Sequence, residues 1–222
     1  MSEIESFLQQ REQMVTWQIQ RRGLSQPRLL DAFRRIPRHL FVPPEYQSMA
    51  YEDHPLPIGC GQTISQPYMV ALMTSLLELS GSERVLEIGA GSGYQAAILG
   101  CLAAEVHSLE LHPQLAEAAN QRMQELGLEN VHIHPADGSH GWPQAAPYEG
   151  ILVAAAAPRP PQPLLDQLAP GGVLILPAGG EGRQVLQRWR REEQNWSHEN
   201  LLDVAFVPLR GTFGWKEQDW PE

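Results

Sequence analysis

The spacing of apolar residues changes along the chain and divides it into regions of different predicted structure. Apolar residues recur at helical spacing over residues 4–19 and 29–36, which predicts two helices ahead of the main fold, the second ending before Pro37. Residues 37–67 combine proline, glycine and aromatic residues without a period, which predicts a long ordered loop. An apolar helix is predicted to begin at Pro67 and to end at Ser80 and Gly81.

Short apolar runs alternate with helical patterns over the remainder of the chain. Strands are predicted at residues 84–88, 105–109, 131–134 and 151–155, and helices at residues 94–103, 113–127 and 163–168. Three further strand patterns follow at residues 173–177, 185–191 and 204–209 with no convincing helix between the last two. Strand and helix in alternation, followed by terminal strands, predict an α/β fold with a doubly wound, mostly parallel sheet and an antiparallel edge.

Composition and charge narrow the classes of protein to consider. The chain has 222 residues, 42% of them hydrophobic and 19% charged, so we expect one compact domain. The formal net charge of −10 disfavours binding to nucleic acid through phosphate neutralisation. Seven arginines lie among residues 11–38 and are expected on the solvated faces of helices. No apolar run reaches the roughly 18 residues that suggest a membrane span, so no membrane partner is expected.

Cysteine and histidine positions predict neither a disulfide framework nor a metal site. Cys60 and Cys101 are far apart in the sequence, which favours a reducing compartment, and we expect a cytoplasmic protein. Cys60 has no evident base nearby and is interpreted as a small apolar residue. His132 and His134 alternate on one predicted strand, but no carboxylate or cysteine stands at the usual spacing of a metal ligand, so no metal is predicted.

Three glycines lie where a predicted strand passes into a predicted helix. Gly89, Gly91 and Gly93 follow the strand at residues 84–88, and glycine at such a turn lets the backbone approach a ligand closely. A dinucleotide fingerprint would place its third glycine at Tyr94, and here the acid Glu87 precedes the loop. The pattern therefore favours a nucleotide-type site and departs from that of NAD-binding proteins.

Two further polar positions follow the next two predicted strands. Glu110 lies about 20 residues beyond the glycine loop, where an acid can accept hydrogen bonds from both hydroxyls of a ribose. Asp137 and Gly138 follow the strand at residues 131–134, and Asp137 is expected to accept a hydrogen bond from an adenine amine. Taken singly, a tight turn, a helix cap and a turn residue would explain the three features. Because ligands of open α/β sheets bind at the carboxyl ends of the strands, the three together predict an adenosine-bearing cofactor without a pyrophosphate.

These positions resemble those of the Rossmann-like S-adenosylmethionine-dependent methyltransferases. More narrowly, the chain resembles the protein-L-isoaspartate (D-aspartate) O-methyltransferase family over roughly residues 10–210. The segments that carry this resemblance are IPRHLFVP, PLPIGCGQTISQPYMVALMTSLLEL, APYEGILVAAAAP, LLDQLAPGGVLILPAG and FVPL. GQTISQP is far more specific than the glycine loop. The sequence departs from the family at Ser139, His140 and Ala154, which affects the expected peptide contacts.

The resemblance implies a methyl transfer from S-adenosyl-L-methionine to the α-carboxylate of L-isoaspartyl and D-aspartyl residues in damaged proteins and peptides. S-adenosyl-L-homocysteine is the expected product of the cofactor, and the methyl ester collapses to a succinimide. It also implies a Rossmann-like core at residues 68–222, an N-terminal helical extension with the substrate-side loop at residues 1–67, and a monomer. A methyltransferase of the same fold acting on another carboxylate or small molecule stays open as an alternative. A cofactor-binding or damaged-protein-binding module without turnover is the second alternative.

The resemblance also implies the residues of the site. The expected cofactor-binding residues are Glu87, Gly89, Gly91, Gly93, Glu110, Asp137 and Gly138. The expected substrate-binding residues are Thr63, Ile64, Ser65, Gln66, Pro67, Ala154 and Ala155. Ser65 is the expected catalytic residue, because its hydroxyl can hold the substrate carboxylate near the methyl group. Its alternative is a capping role, since serine is favoured just before a helix that begins at Pro67.

Overall fold

The computed structural model describes residues 3–193 and 195–220. Residues 1–2 of the predicted N-terminal extension and residues 221–222 of the predicted core lie outside the described residues. The helices of this part of the chain are α1 (Glu3–Gln13), α2 (Pro27–Arg35), α3 (Pro67–Leu76), α4 (Tyr94–Gly100), α5 (Pro113–Glu125) and α6 (Gln162–Asp166). The strands are β1 (Leu56–Gly59), β2 (Gln62–Ile64), β3 (Arg84–Ile88), β4 (Glu105–Glu110), β5 (Val131–Pro135), β6 (Tyr148–Val153), β7 (Leu168–Gly180), β8 (Arg183–Arg191) and β9 (Trp196–Val204).

Within the described residues, seven strands form one sheet in the order β5-β4-β3-β6-β7-β8-β9. The five strands β3, β4, β5, β6 and β7 run parallel to one another, while β8 pairs antiparallel with β7 and with β9. The predicted mostly parallel sheet with an antiparallel edge is therefore confirmed. The chain passes from β3 to β4 and β5 on one side and returns to β6 on the other. Strands β3 and β6 thus flank the topological switch point, where open α/β sheets bind their ligands.

Apolar side chains on both faces of the central strands explain why helices cover the sheet on two sides. In β6, Leu152 belongs to the core shared with α3, α4 and the N-terminal helices, whereas Ile151 belongs to the core beneath α6. In β3, Val85 and Leu86 divide between the same two cores. Strands buried on both faces are typical of parallel sheets covered by helices. No helix among the described residues is long and apolar enough to cross a membrane.

The region predicted as a long loop contains a β-hairpin. Strands β1 and β2 pair antiparallel, and Cys60 at their turn has φ +52°. Strands of three and four residues, one of them containing Pro57, are too short and irregular to show a clear alternation of apolar and polar residues. The predicted irregular loop was therefore wrong for residues 56–64.

The prediction of a last strand at residues 204–209 was also wrong. The edge strand β9 ends at Val204, and residues 205–208 leave the sheet. The backbone N–H of Phe206 donates to Oε1 of Gln184, and only an isolated bridge joins Pro208 to Ala156 in this segment. Since proline lacks an N–H, Pro208 cannot complete a ladder. This apolar segment was predicted in the sheet, but in the structure it lies at the carboxyl ends of the strands.

Arg38 contradicts the expectation of solvated arginines at the N-terminus. Its side chain is 0% exposed, its Nε donates to the carbonyl oxygen of Ala50 at 2.7 Å, and its guanidinium carbon lies 5.2 Å from the ring centroid of Tyr94. Burial lowers the pKa of Arg38 to about 10. Arg38 therefore belongs to the core that joins the N-terminal helices to α4.

Candidate active site

The glycine loop between β3 and α4 is tied to the end of the neighbouring strand. The backbone N–H groups of Gly89 and Ala90 donate to the carbonyl oxygen of Leu109 at 2.8 and 3.1 Å. Gly89, Gly91 and Gly93 have φ values of +90°, +52° and +88°, which L side chains rarely adopt. A Cβ on Gly93 would lie 3.1 Å from Cβ of Ala119, so this glycine permits close packing of α4 on α5.

Glu110 ends β4 and directs its carboxylate to the glycine loop. Its Oε2 accepts from the backbone N–H of Gly91 at 2.8 Å, and its Oε1 accepts from that of His112 at 2.9 Å. His112 is the residue before α5, so Glu110 also contacts the start of this helix. A carboxylate has about four acceptor positions, so Glu110 keeps capacity on both oxygens.

Glu87 lies beneath the glycine loop and not on a cavity wall. It is 0% exposed, its Oε2 accepts from the hydroxyl of Ser108, and its Oε1 has no partner among the described residues. Burial raises the pKa of Glu87 to about 8; the hydrogen bond from Ser108 opposes this shift and the charge of Glu110 adds to it. Its predicted contact with a cofactor stays a prediction.

Asp137 follows β5, but its carboxylate is engaged by the protein. Its Oδ1 accepts from N and Oγ of Ser139 at 2.9 and 2.7 Å. Its Oδ2 accepts from N and Oγ1 of Thr212 at 2.8 and 3.0 Å. These contacts equal the usual acceptor capacity of a carboxylate. The adenine contact expected for Asp137 therefore stays a prediction, while Gly138 does line the cavity described next.

The main cavity lies at the carboxyl ends of β3, β4 and β6. It joins the glycine loop to the segment that contains Ser65. The predicted site residues on its wall are Thr63, Ile64, Ser65, Gly89, Gly91, Glu110, Gly138, Ala154 and Ala155.

A second cavity, the side groove, opens from the Ser65 end of the main cavity. Thr63, Ser65 and Ala154 line both spaces, and the predicted Gln66 lines the groove. One wall includes Pro55, Tyr68 and Met69, while Leu202 to Pro208 form most of the other. Of the apolar run at residues 153–158, only Ala154 lines the groove in the described structure.

The contacts at the start of α3 show whether Ser65 caps this helix. The residue that precedes α3 is Gln66, and no side chain of this residue caps the helix. Asp53 supplies the cap instead, because its Oδ1 accepts from the backbone N–H of Tyr68 at 3.2 Å. Pro67 is the buried first residue of the helix. The capping interpretation of Ser65 was therefore wrong.

Several residues of the cavity were not found from the sequence. Tyr94 and Gln95 of α4 line it, as do residues 206–210, of which residues 206–209 had been predicted as part of a strand. Arg22 stacks on Tyr68 with its guanidinium carbon 3.3 Å from the ring centroid and reaches the side groove. The apolar pattern of residues 204–209 was visible in the sequence, but it predicted burial and not a place beside the cavity.

No metal site is found in the part of the chain that the structure describes, since no three His, Cys, Asp or Glu side chains are placed to hold an ion there. His107 contacts both His134, with Nδ1 3.1 Å from its Nε2, and Glu105. Burial lowers the pKa values of His107 and His134. This cluster lies on β4 and β5, apart from the cavity wall.

The sheet order, the glycine loop and the acid at the end of β4 define a Rossmann-like S-adenosylmethionine-dependent methyltransferase. Comparison with known proteins gives the narrower family. The family model for protein-L-isoaspartate(D-aspartate) O-methyltransferase matches residues 9–213. The chain belongs to the protein-L-isoaspartate (D-aspartate) O-methyltransferase family.

Individual relatives agree with this assignment. A protein-L-isoaspartate O-methyltransferase 1 of Syntrophobacter fumaroxidans is 51% identical over 211 residues, 95% of this chain and 99% of that protein. A protein-L-isoaspartate O-methyltransferase of Methanospirillum hungatei is 49% identical over 97% of this chain and 100% of that protein. A solved protein-L-isoaspartate O-methyltransferase matches 92% of this chain and 67% of its own with a TM-score of 0.85 and 31% identity. A Plasmodium falciparum structure in complex with S-adenosyl-L-homocysteine shares the fold, with a TM-score of 0.78 and 24% identity.

Proposed function

We propose that this chain transfers a methyl group from S-adenosyl-L-methionine to the α-carboxylate of L-isoaspartyl and D-aspartyl residues in damaged proteins and peptides. The observation that carries the proposal is the continuity of the main cavity with the side groove. One end of this space holds the glycine loop and Glu110, and the other holds Thr63 and Ser65. The family assignment over residues 9–213 supports the same activity.

The residues of the main cavity fit the cofactor. A Cβ on Gly91 would lie 3.1 Å from Cδ1 of Ile58. Because glycine has no side chain, the loop leaves this space open toward the cavity and forms a cradle. Glu110 retains acceptor capacity for the two ribose hydroxyls, and Gly138 and Leu111 extend the wall beyond it. When bound, S-adenosyl-L-methionine supplies a methyl group on a positively charged sulfur.

The chemistry requires alignment more than a strong base. A peptide carboxylate is ionised near neutral pH, because reference carboxyl pKa values lie at about 3.3 to 4.3. Thr63 and Ser65 offer hydroxyl donors at the junction of the two spaces, where they can orient this carboxylate toward the cofactor end. Correct orientation of reacting groups contributes up to about 7 to 11 kcal/mol.

The side groove supports a peptide substrate. It is lined by Pro55, Tyr68, Met69 and residues 202–208, so apolar surface is available to an extended peptide beside the edge strand β9. An isoaspartyl residue adds one methylene to the main chain, and the groove is proposed to distinguish its path from that of an aspartyl residue. A cytoplasmic monomer is proposed, supported for the compartment by the free thiols of Cys60 and Cys101.

The test is methyl transfer from labelled S-adenosyl-L-methionine to an isoaspartyl peptide and to the aspartyl peptide of the same sequence. We expect kcat/KM to be at least about 100-fold higher for the isoaspartyl peptide, since a displacement of about 1 Å can cost a factor of this size. Equal rates for the two peptides would contradict the proposal. Normal binding of S-adenosyl-L-homocysteine without transfer to either peptide would support a module without turnover.

A further inference from the structure

Arg22, Asp53 and Tyr68 come from distant parts of the chain and meet beside the side groove; we name these three residues the Arg22 clamp. Nη1 of Arg22 donates to Oδ2 of Asp53 at 2.6 Å. The other carboxylate oxygen of Asp53, Oδ1, accepts from the backbone N–H of Tyr68 at 3.2 Å. The guanidinium carbon of Arg22 lies 3.3 Å from the ring centroid of Tyr68, so each of the three residues contacts the other two. The clamp therefore joins the N-terminal extension, the segment before β1 and the first turn of α3.

The segment that carries Ser65 is fixed by backbone contacts on both sides. On one side, Ile64 of β2 pairs with Leu56 of β1. On the other side, the backbone N–H of Tyr68 is held by Asp53. Only three residues lie between Ile64 and Tyr68, and one of them is a proline, whose φ is restricted. The position of the Ser65 hydroxyl therefore depends on both contacts.

The N-terminal extension determines how the carboxylate of Asp53 is oriented. Nε2 of Gln18 donates to the carbonyl oxygen of Tyr51 at 2.7 Å, so the extension contacts the segment before β1 at two points. With a charge-assisted hydrogen bond from Arg22 on Oδ2, the carboxylate presents Oδ1 to α3 in one orientation. The side chains of Arg22 and Asp53 are 42% and 26% exposed, so their ion pair contributes little to overall stability. Its main effect is thus local orientation.

The clamp lies at the substrate end of the site and away from the glycine loop. Arg22 and Tyr68 line the side groove together with Ser65, and neither Arg22 nor Tyr68 lines the main cavity in the described structure. Because Asp53 already pairs with the charge of Arg22, the hydroxyls of Thr63 and Ser65 remain the groups proposed to orient the substrate carboxylate. A loosened clamp would therefore affect the peptide and leave the cofactor undisturbed.

We infer that Arg22 and Asp53 are positioning residues for methyl transfer, which act through Tyr68 to hold the segment that carries Ser65 in place. The inference rests on the proposed function, because it takes an isoaspartyl peptide as the occupant of the side groove. The N-terminal extension then contributes to turnover as well as to the fold. Binding of S-adenosyl-L-methionine depends on the glycine loop and Glu110 and is independent of the clamp.

The test combines Arg22→Met, which keeps an apolar stem but removes the charge and the donors, with Asp53→Asn, which keeps an acceptor for Tyr68 but removes the charge. For both single variants and the double variant, kcat and KM are measured with an isoaspartyl peptide, and calorimetric titration gives the affinity and stoichiometry of S-adenosyl-L-homocysteine. We expect kcat to fall about five- to tenfold in each single variant, with unchanged affinity and stoichiometry. The double variant should be no slower than the slower single variant, because both substitutions break the same contact.

Arg21→Met is the matched control. Arg21 lies in the same turn as Arg22 and stacks on Trp17 with its guanidinium carbon 3.4 Å from the ring centroid, but it lines neither cavity in the described structure. This variant should keep the wild-type kcat. Amide hydrogen exchange at Tyr68 should be faster in Arg22→Met and unchanged in Arg21→Met. Partial unfolding would lower the binding stoichiometry in proportion to kcat, so the ratio of the two separates positioning from loss of folded protein.

Two results would overturn the inference. One is a wild-type kcat in both Arg22→Met and Asp53→Asn. The other is multiplication of the two effects in the double variant, which would show that the residues act separately and that Arg22 contacts the peptide itself. A wild type that binds S-adenosyl-L-homocysteine but methylates no isoaspartyl peptide would refute the proposed function and this inference with it. An active wild type with unaffected variants would refute the inference alone.

Discussion

At the scale of single residues, Glu110 and Ser65 keep hydrogen-bonding capacity free at opposite ends of one cavity. Glu110 accepts one backbone hydrogen bond on each carboxylate oxygen, which fixes its orientation without using all its lone pairs. Ser65 lies outside α3 and does not cap it, so its hydroxyl is available to a substrate. The contrast with Asp137, whose acceptor positions are occupied, shows that two acids at successive strand ends need not have the same role.

Replacement of Ser65 by alanine should lower kcat for the isoaspartyl peptide while the affinity for S-adenosyl-L-methionine stays nearly unchanged. The hydroxyl is proposed to orient the substrate carboxylate, and loss of a hydrogen bond to a charged group costs about 1.5 to 3 kcal/mol, or roughly 10- to 150-fold in rate. Steady-state kinetics and calorimetric titration measure the two effects. Ser197→Ala, in exposed β9, is the matched control, and a fully active Ser65→Ala enzyme would remove Ser65 from the catalytic role.

Replacement of Glu110 by glutamine should weaken binding of S-adenosyl-L-homocysteine by at least about tenfold. The amide keeps the size of the side chain but loses the charge and one acceptor group, so the ribose hydroxyls lose charge-assisted hydrogen bonds. Calorimetric titration gives the affinity, and thermal unfolding shows whether the loop contact to Gly91 survives. An unchanged affinity in a folded variant would exclude Glu110 from the cofactor site.

At the scale of elements, the β1–β2 hairpin and the glycine loop form the cradle together. Ile58 of β1 approaches Gly91, and β2 leads directly into the segment that contains Ser65. The loop itself is held by hydrogen bonds to Leu109 and Glu110 of β4. The glycine-loop end and the Ser65 end of the cavity are thus connected through short elements whose positions depend on each other.

Gly91→Val tests this connection, with Gly127→Val as the matched control. Both glycines have positive φ, +52° and +65°, but a Cβ on Gly127 meets nothing within 4 Å. A left-handed conformation costs a non-glycine residue about 1–2 kcal/mol, so both variants should lose stability. Only Gly91→Val should also lose cofactor affinity, by more than tenfold, because its side chain enters the cradle. Equal affinities in calorimetric titration would contradict the placement of the loop.

At the scale of the whole molecule, the central strands carry a buried acid within the core. Glu87 on β3 is fully buried and has one oxygen without a partner in the described structure. With its pKa raised to about 8, this carboxyl is neutral at pH 7 in the folded protein and ionised in the unfolded chain. The folded state then binds more protons than the unfolded state between about pH 4.5 and pH 8.

Stability should therefore fall as pH rises through this window, by at most about 1.4 kcal/mol per pH unit from Glu87. Glu87→Gln should flatten the dependence, so that the variant gains relative to the wild type from pH 6 to pH 9. Denaturant unfolding at several pH values measures the difference, with the exposed Glu117→Gln as control. Parallel stability curves for the wild type and Glu87→Gln would show that Glu87 ionises normally in the fold.

Local patterns in the sequence determined the alternation of strands and helices from β3 to β8, the glycine loop and the acid at the end of β4. These features depend on the period of apolar residues and on backbone conformations that few residues adopt, and both are visible in a short window of sequence. GQTISQP likewise predicted a substrate-binding segment through its resemblance to a family.

The tertiary structure alone decided where residues 205–208 and Asp137 belong. The apolar pattern at residues 204–209 predicts burial equally well in a sheet or beside a cavity. In the structure, Pro208 makes only an isolated bridge to Ala156, and the segment lies beside the cavity. Asp137 meets Thr212 from a distant part of the chain, a contact that no local pattern encodes. The physical reason is that burial and hydrogen bonding between distant segments depend on how the sheet closes, whereas a short window of sequence reports only its own periodicity.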